Sequence, residues 1–293
     1  MSARRTGLLA ALAAAAFLAA TQPAAAGRSC AEMQISPAEL ARRVDWALQI
    51  QENLQRLGPE VALIARVGSD VSAYGLRYTH AGFVMRDHAN GAWTLVHVLN
   101  ICGRQDSEIF DQGLLNFLLD DPFALDVLIL ELPAALQQAV ANRLQSHRTR
   151  AFLGARYNTV AYPFSARYQN SNQWLLEVVA AAEADLDGGS VETRSQAQAE
   201  LHKRGYRGTV IRLSAFERIG ALLTRDNIAF DDHPGEARVH GRFETITVDS
   251  IRAYLSRNGR LARETELTYP HPELFEKQVP RASAQVAQRD DFR

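Results

Sequence analysis

The sequence predicts an α+β protein, and three features of the chain support this class. Helix-like and strand-like patterns follow one another without the steady alternation that a parallel sheet requires. Two strand patterns are joined through Asn90-Gly91, the strongest short signal for an antiparallel hairpin. No segment repeats along the chain, so a repeat architecture is not expected. The 293 residues suffice for one large or two small domains.

The first half of the chain contains a clearly marked helix followed by several strand patterns. Ser36-Pro37-Ala38-Glu39 is a capping box with proline at the first helical position, and Gly58 is a typical helix stop. Apolar runs separated by turn residues predict the strands that follow. The elements predicted in this half are a helix over 37–57, strands over 61–67, 78–86 and 93–100, a helix over 107–119, a strand over 125–132 and a helix over 133–144.

The second half contains a polar hexad, Tyr168 to Gln173, that continues directly into an apolar stretch. Trp174 and Val178 belong to a run of apolar residues at helical spacing, so Ser171 is predicted at a helix N-terminus. Backbone N–H groups and the helix dipole favour negative charge at that position. Gly188-Gly189-Ser190 predicts a boundary. The elements predicted beyond it are a helix over 192–204, a strand over 209–213, a helix over 215–223, a strand over 242–248 and a helix over 249–257.

Both ends of the chain are predicted to lie outside the folded part. Arg4 and Arg5 precede an apolar run over 8–20, and Ala24-Ala25-Ala26 is typical of a signal-peptidase site. A signal peptide over 1–26 predicts a periplasmic or secreted mature protein. The alternative is a retained membrane anchor, but the run is too short for a stable span. The prolines and polar residues that follow predict a poorly ordered tail over 264–293.

Charge and motifs exclude several classes of function. The formal net charge of −1 and the pI of about 6.7 provide no electrostatic attraction for nucleic acid. The chain has no phosphate-binding glycine loop and no dinucleotide-binding glycine set, so no cofactor is expected. Asp231, Asp232 and His233 offer ligand types that metals use, but a turn explains this cluster better, and no metal is expected.

The two cysteines, Cys30 and Cys102, both remain after cleavage of the signal peptide. In an oxidising compartment such a pair predicts a disulfide. The alternative is that Cys102 is a catalytic thiol, which oxidation in the periplasm makes less favourable.

The predicted hairpin carries two histidines, and their side chains fall on one face if the hairpin loop has an even number of residues. Strand residues alternate between faces, so His80 shares a face with Gly82, and His97 shares a face with Leu95. A four-residue loop over 88–91 sets His97 opposite Gly82 and diagonal to His80. Diagonal neighbours lie about 7–8 Å apart at Cα, within reach of two rings. For either histidine alone, an ordinary sheet position is the competing interpretation.

These segments resemble a known group of hydrolases. Thr79 to Val84, the hairpin, and Trp93 to His97 resemble the histidine strand and the following strand of the NlpC-type papain-like superfamily. Asn170 to Trp174 resembles the nucleophile segment of its circularly permuted members, the PPPDE-like peptidases and the lecithin:retinol acyltransferase-like enzymes. The whole chain also resembles an uncharacterised family of exported proteobacterial proteins.

The resemblance implies a division of the chain and roles for three residues. It implies a permuted papain-like domain over 27–187, with an antiparallel sheet and a nucleophile helix, and a C-terminal α/β extension over 188–263. It makes Ser171 the nucleophile, His80 the general base and His97 the residue that orients the base. Those families place cysteine where Ser171 stands, so the base would have to act as it does in serine hydrolases.

Two functions follow from this departure. One is an exported hydrolase or acyltransferase that acts on an amide or ester bond of a small peptide, a cell-wall component or a lipid-like molecule. The other is an inactive periplasmic binding or assembly protein that keeps the pocket. If Asn172 rather than Ser171 occupies the nucleophile position, the inactive protein is favoured.

Overall fold

The structure is a computed structural model that describes residues 35–272 except 103, 121 and 147. The predicted signal peptide, Cys30 and residues 273–293 lie outside the described residues. The described part combines helices with an antiparallel sheet, which confirms the α+β class. The strands are β1 (Val61–Val67), β2 (His80–Met85), β3 (Thr94–Asn100), β4 (Ser107–Gln112), β5 (Ala124–Glu131), β6 (Thr209–Arg212), β7 (Arg242–Thr245) and β8 (Arg263–Leu267). The helices are α1 (Pro37–Leu57), α2 (Leu114–Leu119), α3 (Ala134–Gln145), α4 (Ser171–Leu186), α5 (Arg194–Lys203), α6 (Ala215–Thr224), α7 (Gly235–Val239) and α8 (Val248–Arg257).

Six strands form the main sheet in the order β4-β3-β2-β1-β5-β8, and β6 pairs with β7 in a separate ribbon. Every neighbouring pair in the main sheet is antiparallel. Side chains alternate between the two faces of β1, and each face has its own apolar core. Helices α3 and α4 cover one face, whereas α1 and α2 contribute to the core on the other. The four central strands are therefore buried on both faces.

Helix α1 begins and ends where its sequence signals predict. The Ser36 hydroxyl accepts a hydrogen bond from the Glu39 backbone N–H, and Pro37 is the first helical residue. Gly58 ends the helix with φ 73°, in the left-handed region that glycine adopts without a steric cost.

The β2–β3 hairpin has the register that a four-residue loop predicts. Phe83 pairs with Val96 and Met85 with Thr94, so continuation of the ladder sets Gly82 opposite His97. A Cβ atom on Gly82 would lie 2.7 Å from the Cβ atom of His97, which is closer than real Cβ atoms approach. The side chain of His97 therefore fits at its position because Gly82 has no side chain.

The predicted helix over 107–119 is wrong in its first half. Residues 107–112 form β4, which pairs along its whole length with β3, and only residues 114–119 form a helix, α2. The apolar residues Ile109 and Phe110 are adjacent in the sequence, and this spacing is compatible with a helix and with a strand. Pairing with β3 therefore decides the structure of this segment, since tertiary contacts override weak local preference.

The predicted start of the tail at residue 264 is also wrong, because residues 263–267 form β8 at the edge of the main sheet. Arg263 donates to the carboxylate of Glu131 on β5, and the Tyr78 hydroxyl donates to Glu266. Beyond the strand, Tyr269 packs edge-on against Trp46 of α1, with ring centroids 5.4 Å apart. This polar segment forms a strand because its side chains make hydrogen bonds with Glu131 and Tyr78, which are distant in the sequence.

The segment after Gly188-Gly189-Ser190 shares the core of the preceding segment. Leu201 of α5 and Ile251 of α8 are buried in the same cluster as the apolar face of α4. In the described part of the chain, no helix is long and apolar enough to cross a membrane.

Candidate active site

Ser171 is the first residue of α4, as the sequence predicts, but a neighbouring residue caps the helix. Asn170 is the N-cap, and its side-chain oxygen accepts a hydrogen bond of 2.7 Å from the Gln173 backbone N–H. The hydroxyl of Ser171 is therefore not used for capping. It points instead towards the first residue of β2, His80.

The three predicted site residues form one hydrogen-bonded chain. Ser171 Oγ lies 2.9 Å from His80 Nδ1, and His80 Nε2 lies 2.8 Å from His97 Nδ1. The chain continues to β4, where His97 Nε2 lies 3.2 Å from Gln112 Oε1. The prediction that Ser171 and the His80 ring lie within hydrogen-bond reach is confirmed.

One assignment of protons satisfies the whole chain. The amide oxygen of Gln112 can only accept, so His97 Nε2 carries a proton and His97 Nδ1 is an acceptor. His80 Nε2 then donates to His97 Nδ1, which leaves His80 Nδ1 without a proton. The Ser171 hydroxyl donates to that nitrogen. With both histidines neutral, His80 is poised to accept a proton from Ser171.

The environment of His80 keeps its ring neutral. Burial lowers the pKa of His80 well below the ordinary value, and the neighbouring His97 and Arg66 act in the same direction. Arg66 is the cross-strand partner of His80 on β1, and its guanidinium lies over the Phe117 ring at 5.2 Å. Phe117 also lies against both histidine rings, with centroids 5.9 and 6.0 Å away.

Asn172 holds the helix end against the strand that carries His80. Its side-chain oxygen accepts from the Ala81 backbone N–H, and its side-chain nitrogen donates to the Thr79 carbonyl, both at 3.1 Å. These two bonds use the Asn172 amide for positioning. Ser171, and not Asn172, therefore faces the histidine.

Tyr157 lies beside Ser171 and was not identified from the sequence. Burial raises the pKa of the Tyr157 phenol, and contacts with the side chain and backbone of Ser171 only partly oppose that rise. The phenol therefore remains protonated and is a potential donor next to the serine oxygen. Nothing in the spacing of the sequence connects Tyr157 with Ser171.

Arg66 and Gln112 were also missed. Arg66 belongs to a strand that is otherwise apolar, and this isolated charge was the signal that could have identified it. Gln112 was hidden by the incorrect helix prediction over 107–119.

The sequence profile of a family described as an uncharacterized protein conserved in bacteria, DUF2145, matches residues 53–255. The chain belongs to the DUF2145 family. No curated protein and no solved structure matches it. The DUF2145 segment includes Ser171, His80, His97 and Tyr157, whereas β8 lies beyond its end.

Within the DUF2145 segment, a buried polar network supports the loop that leads to Ser171. Gln169 accepts from the Gly154 backbone N–H and donates to the carboxylate of Glu177. Arg194 of α5 forms an ion pair of 3.0 Å with Glu177 and donates to the Tyr168 carbonyl. Burial raises the pKa of Glu177, and Arg194 opposes this effect. The loop, α4 and α5 are thereby joined directly behind the serine.

The turn that offered an alternative metal site makes other contacts. Asp231 forms an ion pair with Arg167 at 2.8 Å, and His233 Nε2 donates to the Val160 carbonyl. Asp232 accepts from the Tyr162 backbone N–H at 2.9 Å. Across the described residues, no group of three His, Cys, Asp or Glu side chains is placed to hold a metal ion.

Proposed function

We propose that this DUF2145 protein is an exported acyl-transfer enzyme that hydrolyses an amide or ester bond through Ser171. One observation carries the proposal, the continuous chain of hydrogen bonds from Ser171 through His80 to His97. A nucleophile, a base and a group that orients the base are the parts that serine hydrolysis requires. Residues from β2, β3 and α4 meet here although 91 positions separate His80 from Ser171.

The reaction has two steps. In the first, Ser171 Oγ attacks the acyl carbon, its proton passes to His80 Nδ1, and the new C–O bond forms as the carbonyl π electrons move to oxygen. The intermediate collapses with cleavage of the bond to the leaving amine or alcohol, which takes the proton from His80. In the second, water attacks the acyl-serine with His80 again as base, and the acid and free Ser171 are released. His97 Nδ1 accepts a hydrogen bond from the His80 Nε2–H and so keeps His80 Nδ1 directed towards the serine.

The negative oxygen of the intermediate has donors close to Ser171. The first N–H groups of a helix have no acceptor within the helix. Asn170 takes that of Gln173, and the backbone of Ser171 contacts the Tyr157 phenol, so the N–H group of Asn172 is the helix-end donor that we propose for this oxygen. The protonated Tyr157 phenol is a second potential donor. Removal of one such donor typically slows catalysis by about 10²–10³-fold.

We propose a permuted papain-like fold for the main sheet and α4. This fold is consistent with the proposed hydrolase. The histidine strand precedes the nucleophile helix, the order expected of the permuted members. Serine in place of cysteine changes the chemistry, because a hydroxyl does not form a stable anion at neutral pH as a thiol does. The lowered pKa of His80 suits this change, since a serine requires a neutral base.

A second candidate, a binding or assembly protein without catalysis, is supported by the closure of the site. Only 4% of Ser171 and 8% of His80 are exposed. A substrate therefore requires some movement of the surrounding loops before it reaches the serine. An inactive relative could keep such a closed polar cluster for stability alone.

Labelling with a fluorophosphonate probe tests the proposal. We expect wild-type protein to form a covalent adduct on Ser171, and Ser171→Ala or His80→Ala to abolish it. Ser250→Ala is the matched control, because Ser250 is another buried and hydrogen-bonded serine near a helix N-terminus, and should leave labelling unchanged. Labelling that persists in Ser171→Ala would show that the nucleophile is a different residue.

Ser171→Cys separates the two candidates if wild type is not labelled. A thiol beside His80 should react with iodoacetamide in a manner that depends on His80. Such reactivity together with an unlabelled wild type would support the binding protein. An unreactive cysteine would contradict the hydrolase, because the arrangement would then fail to activate even a thiol.

A further inference from the structure

The hydrogen-bond chain of the candidate site ends on β4, the edge strand beside β3. Gln112 is the last residue of β4. Phe110 is the cross-strand partner of His97, so Gln112, two residues further along β4, lies diagonal to His97 and on the same face of the sheet. From this position its amide oxygen reaches His97 Nε2. Ser171, His80 and His97 are buried, whereas Gln112 is half-buried.

The backbone of Gln112 is held on both sides. It pairs with Leu95 in the β3–β4 ladder. The next residue, Gly113, is the N-cap of α2, the helix whose Phe117 lies against both histidine rings. Across the part of the chain that the structure describes, the bond to His97 is the one hydrogen bond that the Gln112 side chain makes. The position of Gln112 is therefore fixed, while the orientation of its amide depends on His97 alone.

The chain can satisfy its hydrogen bonds in two opposite directions. A neutral histidine donates from one ring nitrogen and accepts at the other, so each ring passes the direction on to the next group. If Gln112 presents its amide nitrogen, His97 Nε2 must accept, and His97 Nδ1 then donates to His80 Nε2. His80 Nδ1 in turn carries a proton and donates to Ser171 Oγ. In this reversed direction His80 cannot accept the serine proton.

The two ends of the chain differ in what they impose on it. A serine hydroxyl both donates and accepts, so Ser171 is compatible with either direction. The Gln112 amide has one atom that only accepts and one that only donates, and half a turn of the amide exchanges them. The direction therefore follows from the amide atom that faces His97. In the structure this atom is the oxygen, which leaves His80 Nδ1 as an acceptor.

We propose that Gln112 is the positioning residue that sets the direction of this hydrogen-bond chain and thereby makes His80 a base. The inference rests on the proposed function, in which His80 accepts the Ser171 proton. Gln112 acts through His97 and does not touch the reacting atoms. In serine proteases, a substitution that gives the wrong histidine tautomer lowers kcat about 10⁴-fold, so the direction of such a chain has a large effect on rate.

Nitrogen NMR of the mature protein with isotopically labelled histidine tests this role, because protonated and unprotonated ring nitrogens differ in chemical shift. Gln112→Met removes both amide atoms and leaves only a weak acceptor, and Gln112→Lys supplies a group that only donates. We expect His80 Nδ1 to be unprotonated in wild type, partly protonated in Gln112→Met and protonated in Gln112→Lys. Fluorophosphonate labelling of Ser171 at about pH 8, where an ordinary imidazole is neutral, should be at least tenfold slower in both variants.

Gln112→Glu is the rescue variant, since a carboxylate only accepts and imposes the direction seen in the structure. It should keep His80 Nδ1 unprotonated and label at least tenfold faster than Gln112→Met. Glu108→Met is the matched control, because Glu108 lies on the same strand and the same face but is exposed. This control should leave the His80 spectrum and the labelling rate unchanged. Equal melting temperatures would show that the variants are folded, and if Gln112→Lys unfolds, Gln112→Met and Gln112→Glu decide the question.

A protonated His80 Nδ1 in wild type, or the same His80 tautomer in wild type and Gln112→Met, would overturn the role of Gln112. Failure of Gln112→Glu to restore labelling would also overturn it. The NMR measurement does not require catalysis, so the two proposals can fail separately. A tautomer that follows residue 112 in a protein whose wild type is not labelled would support the role of Gln112 in the chain and contradict the hydrolase. A labelled wild type with one tautomer in all variants would support the hydrolase and contradict the role of Gln112.

Discussion

At the scale of single residues, the chemistry of the candidate site depends on what surrounds His80. The ring is buried between Ser171, His97 and Phe117, with a guanidinium on the neighbouring strand. Each of these neighbours disfavours the charged imidazolium or fixes which nitrogen carries the proton. The result is an imidazole that remains neutral into mildly acidic solution, which suits the role of base that we propose for His80.

Arg66→Met should move the acid limb of Ser171 labelling to higher pH. The Arg66 charge disfavours protonation of His80, so its removal raises the pKa of His80 towards the ordinary value. Because the neutral ring is the base, labelling at about pH 6 should be slower than in wild type and nearly equal at about pH 8. Burial lowers the pKa of His80 more than Arg66 does, so the acid limb of labelling should move only part of the way.

Arg66→Lys is the matched control, since it keeps the charge on β1. Its acid limb should stay closer to that of wild type, although lysine lacks the fork that engages Asp120. The pH profile of each protein is measured as the rate of fluorophosphonate labelling. Equal profiles for wild type, Arg66→Met and Arg66→Lys would show that Arg66 does not influence His80.

Gly82→Ala should destabilise the protein and displace His97. The added Cβ would meet the His97 Cβ at 2.7 Å and the Leu95 side chain at 2.9 Å, in a buried sheet. We expect the free energy of unfolding in urea to fall by about 1–3 kcal/mol, with slower labelling of Ser171. Gly220→Ala makes the same chemical change in open space within α6 and should increase stability by about 0.5–1 kcal/mol. An unchanged free energy of unfolding for Gly82→Ala would contradict the close approach of Gly82 to His97.

At the scale of elements, the polar hexad is mainly an anchor for the start of α4. Asn170 donates to Thr159, Thr245 and Ile246, while Asn172 binds the backbone of β2. Helix, strand and the β6–β7 ribbon therefore meet at one turn. The polar composition that marks a helix start in the sequence also positions Ser171.

Asn170→Ala should lower both stability and labelling, whereas a cap elsewhere should affect stability alone. Loss of an N-cap costs about 1 kcal/mol, and Asn170 would in addition leave buried acceptors without its donor. Thr193→Ala removes the N-cap of α5 in the same way, without a direct bond to the segment 170–172. We expect Thr193→Ala to lower the unfolding free energy measured in urea and to leave the labelling rate unchanged. Equal labelling in both variants would show that the cap does not position Ser171.

At the scale of the whole molecule, distant parts of the chain complete one sheet and one core. Strand β8 adds to the edge of β5 after more than 130 residues, through the ion pair of Arg263 with Glu131. Tyr269 then reaches α1 on the opposite side of the sheet from α4. Truncation before β8 would expose the edge of β5 and the carboxylate of Glu131.

The predicted disulfide between Cys30 and Cys102 belongs to this scale and stays a prediction, because Cys30 lies outside the described residues. Mass spectrometry of the alkylated, non-reduced mature protein should find no labelled thiol. Closure of a 72-residue separation is worth about 4 kcal/mol by loop entropy, so Cys30→Ser and Cys102→Ser should each lose a similar amount. The double variant should lose no more than either single variant. Two alkylated cysteines in wild type would contradict the disulfide.

The sequence alone predicted those features that local physical chemistry controls. The capping box at Ser36 and the left-handed Gly58 define α1 from within a few residues, and the apolar periodicity after Ser171 defines α4. Strand alternation together with an even loop length predicted the hairpin register, so the meeting of His80 with His97 was predictable under that condition.

Tertiary structure alone decided the features that depend on partners far along the chain. Residues 107–112 form a strand because they pair with the edge of β3. Residues 263–267 form a strand because they pair with the edge of β5. Tyr157, Arg66 and Gln112 join the site through such contacts, and no local pattern marks Tyr157 or Gln112. Backbone pairing and burial are satisfied only when the whole sheet forms, so their effect on a segment is not contained in that segment's own residues.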